Sequence, residues 1–243
     1  MKKLCIIILS CAILSACTKE QLASLISSPS LSNQEIVEGL KNALQVGTDT
    51  SVVTLNKLDG YYRDEAVKIL LPAEAQVIYD NINRIPGNLG TQLLEQAIVS
   101  INRAAEDAAI EAKPIFIDAI TGITISDGLS ILNGKDTAAT AYLKLKTFTP
   151  LTNAFAPKIN TSLGKPLVGN ISAASAYTDL VNAYNTASLG GVLFPRITTN
   201  TLGEHVTQKA LDGLFLKVAE EEKAIRTDPL ARVTDILKKV FGK

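Results

Sequence analysis

Residues 91–122 read T-Q-L-L-E-Q-A-I-V-S-I-N-R-A-A-E-D-A-A-I-E-A-K-P-I-F-I-D-A-I-T-G, and this stretch decides the fold class. Its apolar residues recur at the i, i+3, i+4, i+7 spacing of an α-helix and form one stripe of about five turns. Alanine dominates the second half of the stripe, which favours helix and lets a neighbouring helix approach closely. The pattern predicts a helix over 91–112 with close helical neighbours. The stripe consists of Leu94, Ala97, Ile98, Ile101, Ala105, Ala108, Ala109 and Ala112.

A proline interrupts this helix near its end. Pro114 has no backbone N–H to donate and disfavours helical geometry at Lys113. We therefore expect a break or kink at this point, followed by a second short apolar helix over Ile115–Ile120.

Polar residues on the opposite side of the helix allow two interpretations. Asn102, Arg103, Glu106 and Glu111 either form a solvated or salt-bridged face between helices, or line a groove between helices. Asn102 and Glu106 have the i,i+4 spacing of an interacting pair, which fits the first interpretation as well as the second. Both stay open at the level of the sequence.

The helical pattern continues along the chain. We predict a single all-α domain over residues 33–243, with about eight to ten helices and one extended irregular arm near 189–202. A short tether over 17–32, rich in serine, precedes this domain.

Two local helix boundaries are predicted from turn and cap residues. Ser32 or Asn33 can cap the first helix, and Gly47 is expected to end it before a second helical stretch begins at Thr48. Further on, Ser126 or Asp127 is expected to cap a short helix.

The second half of the domain contains one proline-marked boundary and the irregular arm. Pro150 is expected in the first turn of a new helix, where a proline is tolerated. Long irregular segments often carry function, so Tyr184, Phe194 and Arg196 in and beside the arm over 189–202 are candidates for a role there.

Composition indicates a globular protein and excludes several classes. The chain has 243 residues, is 47% hydrophobic and 20% charged, and has a formal net charge of zero. Such a composition is neither disordered nor collagenous. A balanced charge provides no basis for binding nucleic acid, so none is predicted.

The N-terminus carries the most specific signal in the chain. Lys2 and Lys3 precede an apolar run over 4–14, which is too short to span a bilayer. Leu14-Ser15-Ala16-Cys17 then resembles the lipobox of bacterial lipoproteins, in which the cysteine is acylated and becomes the mature N-terminus. An ordinary secretory signal cut after Ala16 is the alternative. We predict a signal peptide over 1–16 and lipidation at Cys17.

Lipidation at Cys17 has consequences for chemistry and location. Cys5 and Cys11 leave with the signal peptide, so no disulfide or cysteine metal site is expected in the mature chain. The acyl chains make the membrane a partner. Thr18, where resembling lipoproteins retained at the inner membrane have aspartate, favours the outer membrane with the domain facing the periplasm.

Catalytic and metal-binding patterns are scarce. His205 is the single histidine, so sites that need two histidines are excluded, and a place at a helix start is expected for it. No cofactor, metal site or catalytic residue is predicted. Carboxylates could still support glycoside hydrolysis, which needs two of them. The candidates are Glu106, Glu111, Asp118, Asp136 and Asp212.

Six segments carry a resemblance to a known family. They are L-S-N-Q-E-I-V-E-G-L-K-N-A-L-Q-V-G-T (31–48), D-G-Y-Y (59–62), N-R-A-A-E-D-A-A-I-E-A-K-P-I-F-I-D-A-I (102–120), G-K-D-T-A-A-T-A-Y (134–142), V-T-Q-K-A-L-D-G-L-F-L-K-V-A-E-E-E-K-A-I-R-T-D-P-L-A-R (206–232) and L-K-K-V-F-G (237–242). In these segments the chain resembles a family of bacterial lipoproteins classed as a domain of unknown function. The resemblance covers nearly the whole mature chain and implies one continuous domain without an assigned activity.

The polar residues within the matching segments are candidates for a shared polar or ligand site, with caps and inter-helix salt bridges as the alternative. The favoured function is a non-enzymatic binding or interaction module of the envelope, with an envelope protein or a small hydrophobic ligand as partner. A carboxylate-dependent hydrolase of envelope glycans and a structural envelope protein are the alternatives. The candidate residues are Asn102, Arg103, Glu106, Asp136, Thr137, Thr140, Tyr142, Asp212 and Arg226.

Overall fold

The computed structural model describes residues 31–198 and 200–241. The prediction of an all-α domain is confirmed, because the described residues form nine α-helices joined by short 3₁₀ turns and loops. The helices are α1 (Asn33–Asn56), α2 (Val77–Asn81), α3 (Leu89–Ala108), α4 (Ala112–Thr121), α5 (Ile125–Leu132), α6 (Ala138–Gly164), α7 (Ala173–Ala187), α8 (Leu202–Thr227) and α9 (Asp235–Phe241).

Helix α1 is longer than the sequence predicts. Ser32 caps it in a capping box with Glu35, as one of the two expected caps, but the helix runs through Gly47 without stopping. A Cβ on Gly47 would lie 3.3 Å from the Cβ of Glu221 in α8. The glycine therefore serves a close helix–helix approach, and the expected stop at this position is wrong.

The predicted central helix is α3 followed by α4, with a 3₁₀ turn over Ala109–Glu111 between them. This turn is the expected break, displaced by about one turn toward the N-terminus. The displacement has a simple cause, since the N–H that Pro114 lacks would have bonded to the carbonyl of Ile110. The buried alanines of α3 let α7 and α6 pack closely against it.

Two expected boundaries in the middle of the chain are wrong. Thr124, rather than Ser126 or Asp127, caps α5, and Asp127 completes the capping box from the third helical position. Helix α6 continues through Pro150 and Pro157, so Pro150 does not start a new helix. Both prolines are exposed, so their rings do not disturb the buried face of α6.

The irregular arm is present between α7 and α8. It starts with a 3₁₀ turn over Leu189–Gly191 and places Phe194 and Ile197 in the core. We call residues 188–194 the knuckle. The arm is therefore a packed segment, held to α7 by two hydrogen bonds between Asn185 and the backbone of Ile197, each 2.9 Å long.

The helices give the domain two distinguishable ends. Lys41 donates to the carbonyl of Thr121 at 3.0 Å, and Asn56 to that of Glu106 at 2.8 Å, so α1 runs antiparallel to α3–α4. The entry end contains the start of α1. The far end contains the start of α3, and the knuckle lies there because Arg84, just before α3, contacts Phe194 at 5.2 Å from its ring centroid.

Cys17, the signal peptide over 1–16 and most of the tether over 17–32 lie outside the described residues. The predictions that concern them stay predictions.

Within residues 31–198 and 200–241, no single helix has the length and apolar character of a membrane span. The segments 89–121 and 125–132 meet that criterion only as a pair, and the pair is bent by 105°.

Candidate functional site

Asn102 lies wholly inside the protein and joins α3 to the segment that follows the D-G-Y-Y turn. Its side-chain oxygen accepts from the N–H of Ile69 at 2.9 Å, and its nitrogen donates to the carbonyls of Ile69 and Ile98, both at 2.8 Å. These bonds use both N–H groups of the Asn102 side-chain amide. They also satisfy the backbone N–H and C=O of Ile69, as a neighbouring β-strand would. Asn102 therefore holds the chain at Ile69.

Glu106 and Arg103 hold the D-G-Y-Y turn itself. One oxygen of Glu106 accepts from the N–H groups of Tyr61 and Tyr62, at 3.1 and 3.3 Å. The other accepts from Arg103 at 2.6 Å, and Arg103 also donates to Asp59 at 2.5 Å. We call the set of Asp59, Tyr61, Tyr62, Arg103 and Glu106 the turn clamp.

The turn clamp is closed to ligands. Glu106 is only 4% exposed, and both of its oxygens already accept hydrogen bonds from the protein. The hydrogen bond from Arg103 lowers the pKa of Asp59, which keeps the ion pair charged. The hydroxyl of Tyr61 is buried and donates to the carbonyl of Ala210 in α8 at 2.8 Å. These contacts fasten a turn onto the helices.

A second buried cluster joins α8 to α5 and α6. Glu222 accepts from the N–H groups of Ala139 and Thr140 at 3.0 and 2.8 Å, and from the Thr140 hydroxyl at 2.8 Å. A carboxylate here complements the N-terminal N–H groups and the dipole of α6. Arg226 donates to Glu222 at 3.0 and 2.9 Å and to the carbonyl of Ile131, near the end of α5, at 3.1 Å.

A small apolar cavity adjoins this second cluster. Leu40 and Leu44 of α1 and Phe241 of α9 line it together with Glu222. Its free volume is about 20 Å³, which accommodates about one water molecule. This cavity is therefore too small for an organic ligand.

A larger space, which can take a ligand, is an open groove between α4 and α6. Its volume is about 370 Å³, within the range of ligand pockets, which starts at about 300 Å³. Apolar walls come from Ile115 and Ala119 of α4 and from Pro150 of α6, and one rim opens to solvent. Pro150 donates no helical hydrogen bond, so the carbonyl of Lys146, another lining residue, lacks its usual partner.

The polar side chains that line this groove are those of Asp118, Tyr142, Lys146 and Thr147. Thr147 is buried, and its hydroxyl donates within its own helix to the carbonyl of Leu143 at 2.6 Å. The Tyr142 hydroxyl lies 3.5 Å from Asp127, and the ammonium of Lys146 lies 5.6 Å from the centroid of the Tyr142 ring. Partial burial raises the pKa of Tyr142, so its hydroxyl stays protonated and can donate. A carboxylate, a phenol and an ammonium thus surround an apolar floor, which suits a ligand with both polar and apolar parts.

The remaining candidates lie apart from the groove. Asp136 and Thr137 are exposed in the turn before α6, and Asp212 accepts from Gln208 of its own helix at 3.2 Å. His205 lies in the first turn of α8, with Nε2 2.9 Å from the carbonyl oxygen of Leu70. Across the described residues, no three His, Cys, Asp or Glu side chains converge as metal ligands would.

The nine sequence candidates therefore occupy separate places. Asn102, Arg103 and Glu106 belong to the fastening of the turn, and Thr140 and Arg226 to the second cluster. Tyr142 lines the groove. Two residues of consequence were not among the candidates: Lys146, and Glu222, whose only sequence signal is the i,i+4 spacing to Arg226 within the run E-E-E.

Comparison with known protein families identifies the family of this chain. The family described as protein of unknown function (DUF4197) matches residues 30–242, so the chain belongs to that family. No curated protein and no solved structure matches the chain.

Proposed function

We propose that this member of DUF4197 is a lipid-anchored envelope protein that binds an amphipathic ligand, without catalysis, in the groove between α4 and α6. The observation that carries the proposal is the groove itself. Its volume of about 370 Å³ lies within the range of ligand pockets, and it combines apolar with polar lining side chains.

The anchor part of the proposal rests on the lipobox Leu14-Ser15-Ala16-Cys17 behind a short apolar segment. Two or three acyl chains on Cys17 would hold the protein stably at a membrane. Thr18 favours the outer membrane and a domain that faces the periplasm.

The alternative of a glycan hydrolase concerns the groove and the turn clamp. Asp118 is the one carboxylate among the residues that line the groove. A hydrolase of glycans needs two, about 5–10 Å apart across the substrate. In the turn clamp Asp59 and Glu106 do lie near each other, but both bind Arg103 and Glu106 is buried. The hydrolase alternative therefore gains no support from either place.

The test is native mass spectrometry of the chain from Thr18 onward, purified from its own envelope without the anchor. We expect an additional mass that leaves on denaturation. Ala119→Phe should abolish that mass, because Ala119 lines the groove and a phenyl ring would fill it.

Ala174→Phe is the matched control. It places the same ring on an exposed position of α7 outside the groove, so it should leave the bound mass unchanged. A bound mass that survives Ala119→Phe would place the ligand elsewhere. A clean monomer mass for the wild-type chain would overturn ligand binding and redirect the search to protein partners by cross-linking in intact cells.

A further inference from the structure

The knuckle presents apolar side chains to solvent in a defined conformation. Leu189, Val192 and Leu193 are 64%, 80% and 58% exposed. Such a cluster of exposed aliphatic residues at the tip of an ordered turn marks a contact surface more often than a scattered apolar residue does.

The knuckle is held rigidly. Ser188 is buried, its hydroxyl accepts from Gly191 N–H at 3.0 Å, and its carbonyl accepts from Leu193 N–H at 3.0 Å. Gly190 and Gly191 have positive φ angles, which glycine adopts readily, and Leu189 has φ 52, which is costly for a residue with a Cβ. The fold therefore imposes the outward position of these side chains.

Below the apolar tip the knuckle is fastened to the far end of the domain. Phe194 is buried against Tyr184, with ring centroids 5.0 Å apart, and the Tyr184 hydroxyl donates to the carbonyl of Pro195 at 2.8 Å. These two contacts join the base of the knuckle to α7.

Two arginines flank the apolar tip. The guanidinium of Arg84 lies over the Phe194 ring, and the stem of Arg196 lies beside Gly191. Both are exposed, and neither forms a salt bridge with any of the described residues. Burial raises the pKa of Tyr184, and Asp80 lies close enough to Tyr184 to raise it as well, so one carboxylate accompanies the two arginines near the tip.

From this arrangement we infer that the knuckle is a second membrane contact, which inserts Leu189, Val192 and Leu193 into the interface of a bilayer while Arg84 and Arg196 bind anionic phosphate headgroups. Apolar insertion combined with basic flanks is the chemistry by which proteins lie on anionic membranes. The inference concerns a surface distinct from the ligand groove and does not depend on it.

The length of chain before the described residues permits this contact. The residues between Cys17 and Asn33 number about 15 and reach at most about 50 Å. Helices α3 and α4 with the turn between them, Leu89–Thr121, extend for about 50 Å between the far end and the entry end. A bundle lying along the membrane can therefore engage one bilayer through both the lipid and the knuckle.

The experiment exploits the absence of tryptophan from the chain. Val192→Trp introduces a single fluorophore at the tip of the knuckle, and Leu230→Trp introduces one at a site that is 88% exposed near the entry end. Both full-length lipidated proteins are reconstituted into vesicles of phosphatidylethanolamine and phosphatidylglycerol, with and without brominated acyl chains. We expect a blue shift and bromine quenching for Val192→Trp, and neither for Leu230→Trp.

Charge is tested in the Val192→Trp background by Arg84→Gln with Arg196→Gln. The double substitution should reduce quenching on vesicles that contain phosphatidylglycerol and leave it unchanged on phosphatidylcholine. Emission of Val192→Trp as in water, equal quenching of both tryptophans, or a blue shift that depends on protein concentration without vesicles would each overturn the membrane contact. The last of these outcomes would identify a second copy of the chain as the occupant.

Discussion

The turn clamp and the groove both contain acidic, basic and phenolic side chains, yet they differ in how many hydrogen-bonding positions are taken. In the turn clamp each oxygen of Glu106 binds a protein donor, and the carboxylate is 4% exposed. In the groove, Asp118 and Lys146 are exposed around an apolar floor. A polar cluster whose bonds are satisfied internally supports the fold, whereas one with its donors and acceptors open can bind something else.

Of the substitutions proposed here, Glu106→Ala in the turn clamp should have the largest effect on stability. The substitution leaves the N–H groups of Tyr61 and Tyr62 without their acceptor and removes one of the two carboxylate partners of Arg103, which should cost about 3–5 kcal/mol of unfolding free energy. Urea unfolding followed by circular dichroism measures the loss. Glu111→Ala is the matched control, since the half-exposed pair of Glu111 with Lys158 at 3.0 Å should be worth about 1 kcal/mol or less. Equal losses for the two variants would contradict the assigned role of the turn clamp.

Gly60→Ala tests the same turn through the backbone. A Cβ at this position would lie 2.5 Å from the carbonyl oxygen of Thr54 and 2.6 Å from that of Leu55, and neither can move without distorting the end of α1. We expect a loss of about 3 kcal/mol in thermal or urea unfolding. Gly164→Ala, where no atom lies within 4 Å, should be neutral or stabilising by up to about 1 kcal/mol. If Gly60→Ala proved harmless, the turn would have to be looser than the structure shows.

The contribution of Asp59 to the turn clamp can be tested through the pH dependence of the unfolding free energy. Its pKa is lowered in the folded state, chiefly by the hydrogen bond from Arg103. A lowered folded-state pKa stabilises the protein above the unfolded value of about 3.9, and this stabilisation is lost as the pH falls through the folded-state pKa. Asp59→Asn should therefore be less stable than the wild type at neutral pH and show a flatter decline below about pH 4. Parallel curves of unfolding free energy against pH would exclude this contribution.

The smallest expected effect on stability belongs to the groove. Lys146→Gln should change the unfolding free energy by no more than about 0.5 kcal/mol, because the side chain is exposed. It should nevertheless lower the fraction of protein that carries the bound mass in native mass spectrometry. Lys209→Gln, at an exposed position of α8, is the matched control and should alter neither quantity. A large loss of stability in Lys146→Gln would remove the contrast between the two regions.

Only part of the candidate site could be predicted from the sequence. Tyr142 was among the candidates and lines the groove, but Lys146 was not, because one exposed lysine on an outer helix face resembles any other. Glu222 was hidden in the run E-E-E, whose three members look equally solvated. Only the position of α6 shows that Glu222 points at free helix N–H groups while its neighbours do not.

The local pattern by itself determined the helical class, the central helix and the packed alanine stripe. Hydrophobic periodicity and helix propensity act over a few helical turns, and both can be recognised in residues 91–122. The resemblance of residues 14–17 to a lipobox, on which the predicted lipidation of Cys17 rests, is likewise a local pattern of four consecutive residues.

The tertiary structure alone decided the rest. Gly47 was expected to stop a helix, and it is instead the point where α8 approaches α1. Pro150 was expected to start a helix, and it instead lines the groove from within one. In both cases the deciding interaction joins residues far apart in sequence, and a local rule contains no information about which helix will lie alongside.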